Sequence, residues 1–356
     1  MSTDVALGTR PAPWPPSWGS WVAACTIAEL LGMVAASAAA VGGSALAGDR
    51  TGVVPALLVL GLALLGGAAE GFAVGELQFR VLLRWLPELS RRRYVGATVL
   101  LAVAFWTMGM TPSTVLTITG ASAGATAAPD PAPWLVAVVA AVGGAVGGAA
   151  FGLVQGAALR GHVPHPWHWV RPNVVGWALA VAVITVGATS VPTGLSGVAV
   201  LGYGVVVGIA AGACIGVVTG QALPSLECGL PWWNRVVVGL LCGPLHRVMS
   251  HSLVLLRFRG RRTGALVTLP VQYAAIDATT LVVYAADAGR KTWWRSFREA
   301  EHPVEVRLRG AVHRGTGRVL DADDPAYAVL AAAYAARQPR VMLPADATLL
   351  RLTLGS

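Results

Sequence analysis

Six runs of apolar residues in the first two thirds of the chain are each long enough to cross a lipid bilayer. They cover residues 18–42, 53–78, 95–118, 134–159, 173–191 and 198–223. An α-helix rises about 1.5 Å per residue, so about 20 residues cross the hydrocarbon core of a bilayer. Only 12% of the 356 residues are charged. The sequence therefore predicts an integral membrane protein with a six-helix transmembrane bundle at residues 18–223.

Arginine is concentrated in alternate loops between these runs. The loops after the second and fourth runs hold Arg80, Arg84, Arg91, Arg92, Arg93, Arg160 and Arg171. Loops rich in Arg and Lys tend to stay on the cytoplasmic side of a membrane. With an even number of spans, this pattern places both termini in the cytoplasm and the chain in the plasma membrane. Residues 1–17 are then a cytoplasmic tail.

Glycine recurs at every fourth position in the second, fourth and sixth runs. The three series are Gly67, Gly71 and Gly75; Gly144, Gly148 and Gly152; and Gly204, Gly208, Gly212, Gly216 and Gly220. Glycines at this spacing let the backbone of a neighbouring helix approach closely. We predict three repeats of a helix pair, in which the partner of the sixth run is reduced to "VVVGLLCG" at residues 236–243. Residues 224–251 are then a linker or helix at the membrane interface.

Five polar residues lie within or at the ends of the spans. Glu29 and Glu70 lie inside the first two runs, where an ionised carboxylate is costly. They indicate either protonated or hydrogen-bonded acids that hold two helices together, or a path for protons or a solute. Because no basic residue lies at a matching depth, the first interpretation is favoured. Gln78, Gln155 and Gln221, at span ends, indicate either interfacial helix caps or a transport site, and the first interpretation is favoured.

The pattern changes at residue 252 to short β-rich runs bounded by Gly, Pro or Asp. These runs begin near residues 252, 265, 280, 304, 313 and 347, with helical segments near 289–302 and 324–338. The order β-β-β-α-β-β-α-β favours a small barrel with helices on its side. Nine of the 26 basic and seven of the 17 acidic residues precede residue 224, so the two parts carry formal charges of about +2 and +7. The basic second part suggests an anionic ligand or an anionic membrane surface, and no motif indicates nucleic acid.

The segments "GPLHRVMS", "FRGRRTGALVTLPVQYA", "RKTWWRSFR", "PVEVRLRG" and "GTGRVL" occur in this order. In this order they resemble the deazaflavin-dependent nitroreductase family, over roughly residues 242–321. The resemblance implies a cytoplasmic split β-barrel (α+β) domain at residues 252–356. It also implies reduction of quinones or nitroaromatics with coenzyme F-420 (8-hydroxy-5-deazaflavin), with a flavin as the second candidate.

The turn between the first two runs has the chemistry of a phosphate site. Arg261 and Arg262 offer guanidinium groups, Thr263 a hydroxyl, and Gly264 an accessible backbone. By resemblance, the remaining cofactor-binding residues are Thr268, Pro270, Val271, Ala285, Lys291 and Trp294. Pro270 removes a backbone donor and so suits a strand edge where a ring system can lie. The resemblance assigns no catalytic residue, and the sequence predicts no metal site.

The sequence therefore predicts a membrane-anchored oxidoreductase that transfers hydride from reduced deazaflavin to a quinone-like or nitroaromatic acceptor. The expected partners are the lipid bilayer and a membrane quinone. One alternative is a non-catalytic membrane scaffold whose barrel binds lipid headgroups or a partner. Another is a transporter with a regulatory barrel. Asp287 lies close to where an anionic cofactor tail would run, which favours the non-catalytic alternative.

Overall fold

The structure of the protein, a computed structural model, describes residues 13–48, 50, 52–119, 132–192, 194–227, 232–262 and 264–355. The chain divides into two compact units, Met1–Leu223 and Pro224–Ser356. The first unit is built from helices, and the second mainly from strands.

Six long helices make up the first unit, and each is long and apolar enough to cross a membrane. They are α1 (Trp18–Ala47), α2 (Val53–Leu83), α3 (Arg91–Thr119), α4 (Pro133–Leu159), α5 (Val170–Thr189) and α6 (Gly197–Ala222). The prediction of six span-length helices is confirmed. α2 continues to Leu83, past the predicted span end at residue 78, and Arg80 in this extension donates to the Glu76 carboxylate at 2.8 Å.

The six helices follow one another in a closed ring. Each helix packs against the next along the chain, and α6 packs against α1. The glycine faces of α2, α4 and α6 lie against α3, α5 and α1. A Cβ atom would come within 2.6 Å of the partner helix at Gly71, Gly152 and Gly212. These close approaches explain the fourfold glycine spacing in physical terms.

The third helix pair is therefore α6 with α1. At Gly216 an added Cβ would lie 2.7 Å from the Cα atom of Val22, and at Gly208 it would lie 2.7 Å from the carbonyl oxygen of Glu29. The prediction that residues 236–243 are the reduced partner of the sixth span is wrong. Closure of the ring places α1 on the glycine face of α6, so no helix after α6 is needed to complete the third pair.

Six strands form a closed antiparallel barrel in the order β1-β2-β3-β6-β5-β4. They are β1 (Leu253–Arg259), β2 (Leu266–Ala275), β3 (Thr280–Tyr284), β4 (His302–Leu308), β5 (Ala311–Val319) and β6 (Leu349–Leu354). Every second residue of β1 points inward, so Val254, Leu256 and Phe258 are buried in the core. The predicted small barrel is confirmed.

The described residues of the second unit also form three helices: α7 (Trp232–Cys242), α8 (His246–Met249) and α9 (Tyr327–Arg337). α7 contains most of the apolar run 236–243 and contacts β1 and β2. Its Val238 and Leu241 are buried, whereas Trp233 and Val236 are exposed. α7 is therefore amphipathic.

The tryptophan-rich segment is shorter than the predicted helix. It is a single 3-10 turn, Trp293–Phe297. Phe297 is fully buried and packs edge-on against Phe258, with ring centroids 4.7 Å apart. β4 begins at His302, so too few residues follow this anchor to build a longer helix.

Candidate functional site

The predicted phosphate-binding turn connects β1 and β2. The N–H of Gly260 donates to the carbonyl of Ala265 at 2.8 Å, and the N–H of Gly264 donates to the carbonyl of Gly260 at 2.7 Å. Gly264 has φ +65°, which glycine adopts without steric cost. Thr263 lies outside the described residues. The turn is thus a tight loop whose backbone is held by its own glycines.

The two arginines of the turn are exposed but differ in their partners. The N–H of Arg261 donates to Ser296 Oγ at 3.4 Å, and its Nη2 lies 2.5 Å from Glu299 Oε2. Arg262 forms no hydrogen bond or ion pair with a described residue. Arg262 is therefore available to bind an anion. Arg261 could bind one only after its ion pair with Glu299 is broken.

The segment before the tryptophans carries the predicted third basic contact. Lys291 Nζ lies 3.8 Å from Asp287 Oδ2, and both side chains are more than half exposed. Asp287 has φ +56°, and its carbonyl accepts the N–H groups of Arg290 and Lys291 at 2.9 Å. The lysine is thus held on a tight turn beside an acid, and such exposed pairs contribute little stability.

The two tryptophans of this segment have different neighbours. Trp293 packs on the barrel core near Phe258. The indole N–H of Trp294 donates to the carbonyl of Ala288 at 3.0 Å, and its ring lies 5.8 Å from the Arg295 guanidinium carbon. Both tryptophans pack against the barrel core and remain partly exposed, so a ligand could contact either ring.

The predicted residues of β2 divide between its two faces. The side chain of Val271 is buried in the barrel core, and Thr268 and Pro270 point to the opposite face. Residues 266–272 pair with β1, and β2 pairs with β3 only over residues 273–275. The other side of β2 at Pro270 is therefore not paired with a described strand. This unpaired edge suits proline, which has no backbone N–H to donate to a neighbouring strand.

Ala285 lies at the end of β3 and is only 1% exposed. Its N–H donates to the carbonyl of Thr348 at 2.9 Å. The structure therefore brings the turn and the Trp294 segment together through Arg261, but buries the side chains of Ala285 and Val271 in the core. A ligand on the surface could meet only the backbone of these two residues.

A buried ion cluster on the barrel was not predicted. Arg257, on the outward face of β1, is 2% exposed. Its Nη2 donates to Glu227 Oε1 at 3.0 Å, and its Nη1 lies 3.9 Å from Glu305 Oε2. The signal in the sequence is an arginine flanked by the apolar residues Leu256 and Phe258 at an outward position of the strand "LVLLRFR". Its burial depends on the distant Glu227, which no local pattern reveals.

Two of the three repeat glutamines are buried between the helices of the first unit. Gln78 and Gln155 are 3% and 2% exposed, and Gln155 Nε2 donates to Gln78 Oε1 at 3.1 Å. Tyr94 also donates to Gln78 Oε1, and Trp169 donates to Gln155 Oε1. For this pair the interpretation as interfacial caps is wrong, because the side chains bridge helices. Gln221 is exposed.

The two acids within the predicted spans are both buried, Glu29 at 1% and Glu70 at 8% exposure. Glu70 Oε2 accepts the indole N–H of Trp106 at 2.8 Å, which links α2 to α3. Neither oxygen of Glu29 has a hydrogen-bond partner in the described part of the chain.

A comparison with models of known protein families finds no match to this chain, and a search of curated proteins finds none. The resemblance to the deazaflavin-dependent nitroreductases therefore stands on the motifs quoted above.

Proposed function

We propose that the protein is a membrane-anchored oxidoreductase whose barrel binds reduced coenzyme F-420 and passes its hydride to a quinone-like or nitroaromatic acceptor. One observation carries the proposal. Arg261 joins the basic turn to the tryptophan-rich segment through its contacts with Ser296 and Glu299. Two motifs that are separate in the sequence thus form one surface of the barrel unit.

The donors on this surface fit an anionic cofactor tail. Arg262 is exposed and forms no ion pair with a described residue, and its planar guanidinium can bind a phosphate with two hydrogen bonds. A Cβ added at Gly264 would meet nothing within 4 Å, so the backbone of the turn is open to a ligand. Lys291 is half exposed on the same segment as Trp294.

When bound, a reduced deazaflavin supplies the hydride, so the protein needs to position the reactants more than to provide an acid or base. Arg262 and Lys291 would hold the charged tail. Trp294 and the unpaired edge of β2 at Pro270 would lie along the ring system. The backbone of Val271 and Ala285 could complete the contact, since their side chains are in the core.

Attachment to the bilayer gives this reaction a physical purpose. Quinones dissolve in the hydrocarbon region, so a barrel tethered to six spanning helices stays close to its acceptor. We assign the barrel to the cytoplasmic side, where the arginine-rich loops would also lie.

The second candidate is a non-catalytic scaffold whose barrel binds lipid headgroups or a partner. The observation that favours it is the acid beside each of two basic groups, Glu299 beside Arg261 and Asp287 beside Lys291. These acids reduce the attraction for an anion. A barrel that only regulates a transporter would be consistent with the same contacts.

The test is a titration of the purified full-length protein in neutral detergent with coenzyme F-420, followed by cofactor fluorescence. We expect saturable binding. Arg262→Lys keeps the charge but loses the planar fork, so binding should weaken by about 1–2 kcal/mol, near tenfold.

Arg340→Lys is the matched control, because Arg340 is exposed on another part of the barrel unit. It should bind as the parent does. Absence of saturable binding, or equal weakening by both substitutions, would favour the non-catalytic scaffold.

A further inference from the structure

The first unit contains a cavity of about 650 Å³ between its helices. This volume is typical of small-molecule sites. Most of the wall comes from α3, α4 and α5, with Met33 of α1 and Glu70 of α2 at its inner end. Because α1 and α4 lie opposite each other in the ring of helices, a cavity that touches both reaches the centre of the bundle.

The cavity extends outward to the surface of the bundle. Two of its lining residues, Met108 of α3 and Val146 of α4, are 62% and 61% exposed. Glu70 is 8% exposed. The cavity therefore leads from the apolar outer surface of the helices to a buried carboxyl group.

Aromatic rings surround the path to this carboxyl group. Phe105, Trp106, Phe151 and Trp177 all line the cavity. Phe151 stacks on Trp177 with ring centroids 4.5 Å apart, so this part of the wall is rigid. Rings of this kind attract cations through their faces.

The carboxyl group of Glu70 is only half engaged. Oε2 accepts from Trp106, and no hydrogen bond from a described residue reaches Oε1. No Lys, Arg or His lines the cavity among the described residues. Glu29, which has no hydrogen-bond partner of its own among them, lies within electrostatic range of Glu70. The inner end of the cavity therefore carries one carboxyl group, that of Glu70, which no described basic side chain neutralises.

From this arrangement we infer that the membrane unit binds a lipophilic organic cation, with the positive charge at Glu70 and the apolar groups against the aromatic wall. An inorganic cation would require several oxygen ligands, and the apolar wall does not provide them. A neutral lipid could at most donate a hydrogen bond to the carboxylate, whereas a cation would also gain its charge. The inference does not depend on the chemistry of the barrel.

The experiment uses two probes that each carry three phenyl rings, one charged and one neutral. Methyltriphenylphosphonium and triphenylphosphine oxide are titrated separately into the full-length protein in neutral detergent by calorimetry. The cation should bind saturably, and the neutral probe at least about tenfold more weakly. Equal affinity for the two probes would overturn the inference.

The first variant removes the charge and keeps the shape. Glu70→Gln retains an acceptor for Trp106 and should weaken binding of the cation at least about tenfold. Glu88→Gln is the control, because Glu88 is an exposed acid that does not line the cavity. Parent-like binding by Glu70→Gln would overturn the inference.

The second variant fills the cavity without touching the carboxyl group. Gly143 lines the cavity, and a Cβ there would meet nothing within 4 Å, so Gly143→Leu should fold normally. It should reduce binding by at least about fivefold. Gly61→Leu is the matched control, since Gly61 is equally open but does not line the cavity. Equal binding by both leucine variants would show that the probe binds elsewhere.

Discussion

Two buried tyrosines of the barrel unit differ in the partner of their hydroxyl groups. Tyr273 donates to the carbonyl of Ser250 at 2.8 Å. The hydroxyl of Tyr334 has no hydrogen-bond partner in the described part of the chain, although the residue is fully buried. Burial raises the pKa of Tyr334 to about 12. A buried polar group without a partner costs free energy, whereas a satisfied one contributes about 1 kcal/mol.

We therefore predict opposite effects of the same substitution at these two positions. Tyr273→Phe should lower the free energy of unfolding by about 1–2 kcal/mol, because it also leaves the Ser250 carbonyl without its donor. Tyr334→Phe should be neutral or stabilising. The measurement is thermal unfolding of the full-length protein in detergent, and a larger loss for Tyr334→Phe would contradict the assignment of partners.

The raised pKa of Tyr334 adds a pH dependence with a definite sign. The folded state favours the neutral phenol, so its contribution is complete below pH 10, the ordinary value, and is lost as the pH rises toward 12. Between pH 10 and pH 12 the free energy of unfolding should therefore fall more in the parent than in Tyr334→Phe. Identical slopes for the two proteins would show that the phenol ionises freely.

Single residues also show the limit of prediction from sequence. The alternation in β2 predicts a strand through Thr268, Pro270 and Val271, and the strand is there. Alternation does not reveal which face is inside, so it could not show that Val271 belongs to the core. The burial of Arg257 could not be predicted either, because it depends on an acid 30 positions away in the sequence.

At the scale of elements, the spacing of glycines predicted which helix faces are smooth, but not which helix each face meets. Hydropathy predicts the six span-length helices because the length and polarity of each apolar run are local properties of the sequence. The pairing of α6 with α1 joins the two ends of the first unit, and a local pattern contains no information about that contact. The same limit applies to the Gln78–Gln155 bridge.

Two glycines of α6 provide a matched test of this pairing. At Gly212 an added Cβ would lie 2.6 Å from the Cys25 carbonyl oxygen in α1, and at Gly202 it would meet nothing within 4 Å. Gly212→Leu should separate the helices and lower the free energy of unfolding by about 1–3 kcal/mol or more. Gly202→Leu should leave it nearly unchanged.

The measurement for this pair is the midpoint of thermal unfolding in the same detergent. A midpoint that falls equally in both variants would mean that the effect is general to leucine in α6. An unchanged midpoint for Gly212→Leu would contradict the packing of α6 against α1.

At the scale of the whole molecule, the chain combines a ring of six span-length helices with a closed six-stranded barrel. Composition predicted this division because the span-length apolar runs end before residue 224 and the β-rich runs begin after residue 250. The order of strands predicted a barrel, since six short antiparallel strands can remove their edges by closing. The chemistry on its surface follows from residues that the fold brings together, chiefly Arg261 and the Trp294 segment.

The arginine-rich loops lead to a prediction about topology. A reporter fused after Ser356 should be cytoplasmic, because the arginine-rich loops after α2 and α4 would be retained on that side. A reporter inserted between α3 and α4 should give the opposite signal. A C-terminal reporter on the outer side would contradict both the topology and the access of the barrel to a cytoplasmic cofactor.

The most direct test of the account is hydride transfer by the purified full-length protein. Reduced coenzyme F-420 and a short-chain quinone are mixed with the protein in detergent, and the visible absorbance of the oxidised deazaflavin is followed. We predict quinone-dependent oxidation far above the rate without protein, with Arg262→Lys raising the cofactor KM about tenfold. Oxidation no faster than in the absence of protein would contradict the proposed function.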